Sequence, residues 1–351
     1  MRSRRGLCAF FLCCLLCTIL SPGHAESVLD LVGQTFESLD TLMTLIQEAD
    51  EPETVDLTDV KLSLEERKAL LSAFPNTTFQ WTISVYGVKV STQDTYLDLY
   101  MKNVTSLDEL MDYLDCLPNI TEVDLYSTKI PEAYLTVFEE RHPKIQFNWL
   151  LVLANHYHIR TNVTAFSTLK NGSPPLLKSE QFAPLKYLKN LQALDLGHNA
   201  ITDLSFLYDL PKLKVLILAV NNITDITPIA SLKDLEYLEL FMNNITDLTP
   251  LQGLDKLIDL NLCINDIEDI TPLEGLTGLQ RLWISRNKAI TDESKERLQA
   301  SLPNTEINFT ARMSTGEGWR GSHPRYKLIR KIFYRRVYFP FDIETLEDQV
   351  G

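Results

Sequence analysis

From Leu191 onward the apolar residues recur with a period of 22. The first unit holds Leu191, Leu194, Leu196, Asn199 and Ile201. The same places are then taken by Leu213, Leu216, Leu218, Asn221 and Ile223, by Leu235, Leu238, Leu240, Asn243 and Ile245, and by Leu257, Leu260, Leu262, Asn265 and Ile267. A fifth unit carries Leu279, Leu282, Ile284 and Asn287. The local alternation predicts one short strand per unit, with its leucines on one side. A lone unit cannot bury them, so the units are expected to stack into a parallel sheet over a common core. The asparagine column predicts an internal ladder that satisfies turn backbone. Thr227-Pro228, Thr249-Pro250 and Thr271-Pro272 predict a short helical turn behind each strand, with Thr as the cap before Pro. The column Asp203, Asp225, Asp247, Asp269 reads as helix-start capping, with calcium binding as the alternative.

The first half of the chain carries a longer period, of 68 residues. Leu29, Asp30 and Leu31 correspond to Leu97, Asp98 and Leu99, and Val55, Asp56 and Leu57 to Val123, Asp124 and Leu125. Pro75, Phe79 and Trp81 correspond to Pro143, Phe147 and Trp149. Each copy predicts strand, helix, strand, second helix, and a strand ending at Trp81 or Trp149. Residues 64–74 space their apolar positions by three and four, as a helix with one packed face requires. Ile83–Val90 and Leu151–Ile159 alternate, and turns at Tyr86-Gly87 and Asn155-His156 predict a protruding hairpin in each copy. Residues 164–187, with the breaker cluster Asn171 to Pro175, read as an irregular linking repeat.

The LxxLxLxxN units of residues 188–309 resemble the internalin-type leucine-rich repeat. The whole arrangement resembles exported leucine-rich-repeat proteins of Gram-positive gut anaerobes. The expected fold is α/β, a leucine-rich-repeat solenoid or horseshoe. It would have a concave parallel sheet and helices or short helical turns on the convex side. The expected organisation is a signal peptide (1–25), two 68-residue modules (26–163), the linking repeat (164–187), the regular repeats (188–309) and a basic C-terminal cap or tail (310–351). The resemblance implies protein or host-surface recognition on the concave face. Unlike wall-anchored internalins, the chain shows neither a sorting motif nor an apolar C-terminal tail, which leaves surface attachment and free secretion as alternatives.

Residues between and just after the strand leucines face away from the core. Stacked in order, they place Val215, Ile217, Val220, Tyr237, Phe241, Met242, Ile264 and Trp283 in one apolar patch on the concave face. Asp195, Glu239, Asp259, Arg281 and Arg286 rim it. Exposed apolar patches mark interaction sites, and aromatic anchors dominate their energetics. The expected ligand is a protein, with a glycan held by Tyr237, Phe241 and Trp283 as the alternative. A second alternative makes the patch core, covered by the tail or by the linking repeat.

Composition changes the picture at the two ends. The body, residues 26–309, has 22 basic and 42 acidic residues, whereas Ala311–Phe341 has eight basic residues and one acid. In that tail Tyr326, Ile329, Ile332, Phe333 and Val337 fit one face of a helix. It reads as a cap on the acidic solenoid, or alternatively as a contact to an anionic surface or membrane. At the other end Arg2, Arg4 and Arg5 precede an apolar stretch, Leu7–Leu20, and small residues at Gly23 and Ala25. This is the pattern of an export signal cleaved near Ala25, giving a secreted, extracellular protein. A net charge of −14 leaves few cations for phosphates, so nucleic acid is not an expected partner. Cys116 and Cys263 are the only cysteines after the signal. About six strand steps of ~4.8 Å would separate them, so they should not pair.

Catalytic chemistry is not legible. HExxH, GxSxG, a P-loop and cysteine pairs at metal spacing are all missing. Gly316, Gly318 and Gly321 match GxGxxG by letter, but no strand–helix unit surrounds them. His156 and His158 share a strand face without an evident third metal ligand. The sequence thus predicts a monomeric binding protein with no metal or cofactor. An enzyme whose site is assembled across the repeats is the alternative in class.

Overall fold

The computed structural model describes residues 28–50, 52–128, 130, 134–169, 176–313, 315–316, 318–321 and 323–341. The export-signal pattern, the Asn171–Pro175 breaker cluster and residues 342–351 lie outside these. The chain divides into two compact units, Met1–Phe147 and Asn148–Gly351.

In the first unit the 68-residue period appears as a repeated order of elements. Strand β1 (Val28–Asp30), helix α1 (Leu39–Glu48), β2 (Thr54–Asp56), α2 (Leu64–Ala73) and β3 (Thr78–Gln80) are followed by β4 (Thr82–Val85) and β5 (Val88–Ser91). The second copy runs β6 (Tyr96–Asp98), α3 (Leu107–Asp115), β7 (Glu122–Asp124), α4 (Leu135–Arg141) and β8 (Gln146–Asn148). The strands form two three-stranded sheets, β1-β2-β3 and β6-β7-β8. Serines start α1, α2 and α3. Ser38 accepts from the Thr41 N–H, Ser106 accepts from the Glu109 N–H, and Ser63 makes a full capping box with Glu66. The tryptophan that marks the first copy is core: Trp81 is buried and its Nε1 donates to the Cys116 carbonyl at 2.8 Å. The hairpin β4–β5 turns at Tyr86 and Gly87, both with positive φ, as a two-residue turn demands. It does not protrude. Ile83, Val85 and Val90 are buried, and the Tyr86 hydroxyl donates to the Ser106 carbonyl at 2.6 Å.

The second unit opens with an antiparallel hairpin, β9 (Leu150–Leu153) and β10 (Tyr157–Arg160). This hairpin too is docked: Leu151, Leu153, Tyr157 and Ile159 join the same buried cluster as the repeat leucines. It closes the open end of the core, which a stack of identical units otherwise leaves exposed. Then come β11 (Ala165–Ser167), a 3₁₀ helix (Ser179–Tyr187), β12 (Ala193–Asp195), β13 (Val215–Ile217), β14 (Tyr237–Glu239), β15 (Asp259–Asn261), β16 (Arg281–Trp283), α5 (Asp292–Ser301), β17 (Glu306–Asn308) and α6 (Pro324–Arg335). Strands β11 to β17 form one seven-stranded sheet in chain order, each pair parallel. Leucine-rich repeats therefore build this unit, with strands on one side and short 3₁₀ turns, such as Thr227–Ser231, on the other. At the far end α5 buries Leu298, with Leu302 just beyond it, in the same cluster.

The asparagine ladder is present. Asn243 Oδ1 accepts from the Ile223 N–H at 3.1 Å, while its Nδ2 donates to the carbonyls of Leu218 and Leu240, both at 3.0 Å. Asn221 and Asn265 repeat the pattern one rung away. The helical turns differ from expectation in one respect. Asp, not Thr, supplies the bond: Asp225, Asp247 and Asp269 accept from the N–H groups of Thr227, Thr249 and Thr271 at 2.8–2.9 Å. The carboxylate is the better acceptor for amides at a positive helix start.

Candidate functional site

Because each strand sits one repeat from the next, the outward side chains of the large sheet align in columns. Val215 pairs in register with Tyr237, then Asp259, then Arg281; Ile217 pairs with Glu239, Asn261 and Trp283. The C-terminal segment lies over these columns. Trp319, the helix residues Leu328, Ile329 and Ile332, and Tyr338 and Phe341 form one buried cluster with Val215, Ile217, Tyr237, Phe241, Cys263 and Trp283.

The concave face is therefore not an open patch. Val215, Ile217, Tyr237, Glu239, Phe241, Asp259, Arg281 and Trp283 are each 5% exposed or less. An apolar sheet face becomes core when the same chain supplies a complementary surface, and here it does. The rings do not lie flat to solvent, as a glycan held by Tyr237, Phe241 and Trp283 would need. The remaining candidates sit on the lip of the sheet. Val220 and Ile264 are half-buried, Arg286 is exposed, and Met242 is 42% exposed. All four have φ between 55° and 62°, where the strand turns away.

Charges as well as rings hold the segment. Glu239, fully buried, accepts from Trp319 Nε1 at 2.8 Å, from Arg320 through Nε and Nη2, and from the Tyr237 hydroxyl. Asp259, also fully buried, accepts from Arg281 Nε at 2.9 Å, from Arg281 Nη2 and from Arg325 Nη1. Arg281 continues to the carbonyls of Gly318 (3.0 Å) and Trp319 (3.2 Å). The Trp319 ring lies 5.7 Å from both Tyr237 and Trp283, with the Arg281 guanidinium 4.6 Å from its centroid. The acidic sheet and the basic tail are thus two halves of one buried network, and each carboxylate receives the several donors that a buried charge requires.

Sequence patterning missed Trp319, which lies outside any helix. Gly316, Gly318 and Gly321 around it all have positive φ, a backbone path that lets the chain double back over the sheet. Val337, expected on the helix face, is exposed. The helix ends at Arg336 in a left-handed turn, and Tyr338 packs instead.

Burial also sets the ionisation of these groups. It pushes the Tyr237 phenol well above its ordinary range, and raises the Cys263 thiol. Burial, with Arg281 adding to it, holds His323 down at about 4. Asp195, which accepts from the Gly197 N–H (3.0 Å) and the Ser167 hydroxyl (3.1 Å), is pushed up to about 6 by burial. Cys116 and Cys263 are both free thiols and both buried. Among the described residues no group of three or more His, Cys, Asp or Glu could hold a metal, His156 and His158 included. No helix among them is long and apolar enough to cross a membrane.

Family models for leucine-rich repeats match residues 187–204 and 211–253. No curated protein matches the chain. Among solved structures it is similar to an internalin C2 of Listeria monocytogenes, at 28% identity over 63% of this chain and 85% of that one, with a TM-score of 0.34. A second Listeria monocytogenes internalin is 20% identical, covering 82% of this chain and 83% of that one (TM-score 0.33). A leucine-rich-repeat protein of Leptospira interrogans is 22% identical, covering 75% and 74% (TM-score 0.36).

Proposed function

We propose that this leucine-rich-repeat chain is an exported, non-catalytic recognition protein whose concave face binds a protein ligand, and that its own C-terminal segment occupies the face until the ligand displaces it. One observation carries the reading. The sheet already grips a basic, aromatic segment through two buried carboxylates and a set of rings, the anchors that dominate protein interfaces. The segment follows the last strand, so its release unravels no repeat. Glu239, Asp259, Asn261 and Arg281 would hydrate on opening, which lowers the cost relative to exposing the leucine side. Export rests on the sequence of the first 25 residues, with secretion after cleavage near Ala25.

The test is capture from native surroundings with mature 26–351 and with its Arg320→Ala, Arg325→Ala variant, which removes two of the tail's ion pairs. Stronger capture of one protein by the variant supports displacement. Equal or weaker capture argues against it. A second reading places the ligand on the lip without any release, and the exposure of Met242 beside Val220 and Ile264 favours it. A Met242→Asp variant separates the two, because only lip binding should be lost.

A further inference from the structure

Under α6 the fit between tail and sheet is incomplete. Strands β14 to β16 present Tyr237, Glu239 and Trp283 to the segment, whereas β11 and β12 present the shorter side chains Ala165, Ser167, Ala193 and Asp195. Ala165 and Ala193 are fully covered in the cluster that holds Leu328, Ile329 and Ile332, but beside them, over Ser167, Asp195 and Ile217, a cavity of about 440 Å³ remains. This volume falls within the range of about 300–1,000 Å³ usual for small-molecule sites.

The cavity has three chemically distinct parts. Asp195 and Ser167 are at its floor; Asp195 is 4% exposed, accepts from the Gly197 N–H and the Ser167 hydroxyl, and has part of its charge offset by Arg320, which also lines the cavity. Tyr326 and Phe333 of α6 form an aromatic wall. Arg330 and Arg336 stand at the mouth, both exposed; the Arg336 guanidinium is steadied by the His158 carbonyl at 3.4 Å. On a chain of net charge −14, two outward arginines over a buried acid form a local reversal of sign.

Few ligand classes satisfy all three parts. A hydrocarbon adds no donor to the two that Asp195 already has, the Gly197 N–H and the Ser167 hydroxyl, and leaves the arginines unmatched. An amine suits Asp195 but meets the arginines. A bare anion suits the arginines and leaves the floor and wall unused. A sugar bearing a carboxylate offers hydroxyl donors to the floor, a C–H face to the wall and a negative charge to the mouth.

We propose that this cavity binds the acidic sugar unit of a glycan, its hydroxyls on Asp195 and Ser167, its ring against Tyr326 and Phe333, and its carboxylate on Arg330 and Arg336. The proposal does not depend on tail displacement: the site exists only while the segment is docked, so its ligand would hold the protein closed.

The test is calorimetric titration of mature 26–351 with glucuronate, galacturonate and N-acetylneuraminate, beside glucose and sodium sulfate. The expected result is binding of at least one acidic sugar, with glucose and sulfate inactive. Arg330→Ala with Arg336→Ala, both at exposed positions, should weaken it by about tenfold or more, as loss of charge-assisted bonds implies. Asp195→Asn should weaken it further still. The proposal is overturned if none of the acidic sugars binds, if sulfate binds as well as they do (an adventitious ion only), or if the arginine variant binds unchanged. A positive result has a second readout. Saturating sugar should slow labelling of Cys263 beneath the segment, whereas unchanged labelling would place the ligand elsewhere.

Discussion

The indole nitrogen of Trp319 donates to Glu239 Oε1 across 2.8 Å, joining residues 80 positions apart in the chain. This bond ties the C-terminal segment to the middle of the repeat sheet. Trp319 is fully buried, and it fills the space between Tyr237 and Trp283. Trp319→Ala should cost about 3–5 kcal/mol, as large aromatic deletions in packed cores do. Chemical denaturation checks this. A loss below about 1 kcal/mol would mean that the segment is not docked in solution.

Glu239 and Arg320 form an ion pair whose acid is fully buried. Arg320→Ala leaves the carboxylate short of its charge partner, and a loss of about 3–5 kcal/mol is expected. Adding Glu239→Gln removes the charge but keeps an acceptor for Trp319, so the double variant should recover much of that loss. A double-mutant cycle by denaturation measures the coupling.

Two groups give opposite pH slopes. Asp195 has a folded pKa raised to about 6, so the native state holds its proton more tightly than the unfolded chain does. Its contribution is full below about pH 4 and is lost as pH rises towards 6, in total about 3 kcal/mol. His323, lowered to about 4, behaves in the opposite way: stability is lost as pH falls from about 6.5 towards 4. Asp195→Asn should therefore make stability rise more steeply with pH between 4 and 6, and His323→Gln should make it rise less. Denaturant midpoints measured across that window, relative to wild type, report both signs.

Asn243 bridges three backbone groups of its own and the preceding repeat. Asn243→Ala strands a buried N–H and carbonyl oxygens, at about 1–3 kcal/mol for each unsatisfied group. Asn243→Asp keeps the acceptor for the Ile223 N–H and loses the donors, so it should also destabilise. Thermal melts of the two variants order these contributions.

The two free thiols serve as reporters. Burial pushes the Cys116 thiol up to about 11 and raises that of Cys263, so both should react slowly with a thiol reagent in the folded protein. Cys263 lies beneath the segment. If the segment opens on its own, Cys263 should label faster than Cys116, and Arg320→Ala should accelerate Cys263 selectively. Equal rates at both would show that only global unfolding exposes them.

Strands β11 and β17 lie off the 22-residue period, but the spacing of Leu194, Leu216, Leu238, Leu260 and Leu282 was enough to determine strands β12 to β16, their parallel register and the asparagine ladder. Each of these follows from a local period repeated against identical neighbours. The 68-residue period likewise determined the element order of the first unit. The fate of the concave face was decided elsewhere. Tyr237, Phe241 and Trp283 read alike whether they meet a partner, a glycan or their own chain, because a strand's pattern names a face and not its occupant. Only the tertiary structure brings Trp319 onto Glu239 and Arg325 onto Asp259. Those contacts span 80 and 66 residues and pass through a glycine-rich turn that has no periodicity to read. The cavity over Asp195 is of the same kind. It is left between α6 and the strand ends at Ser167, Asp195 and Ile217, and volume left over between two elements has no signature in either one's sequence.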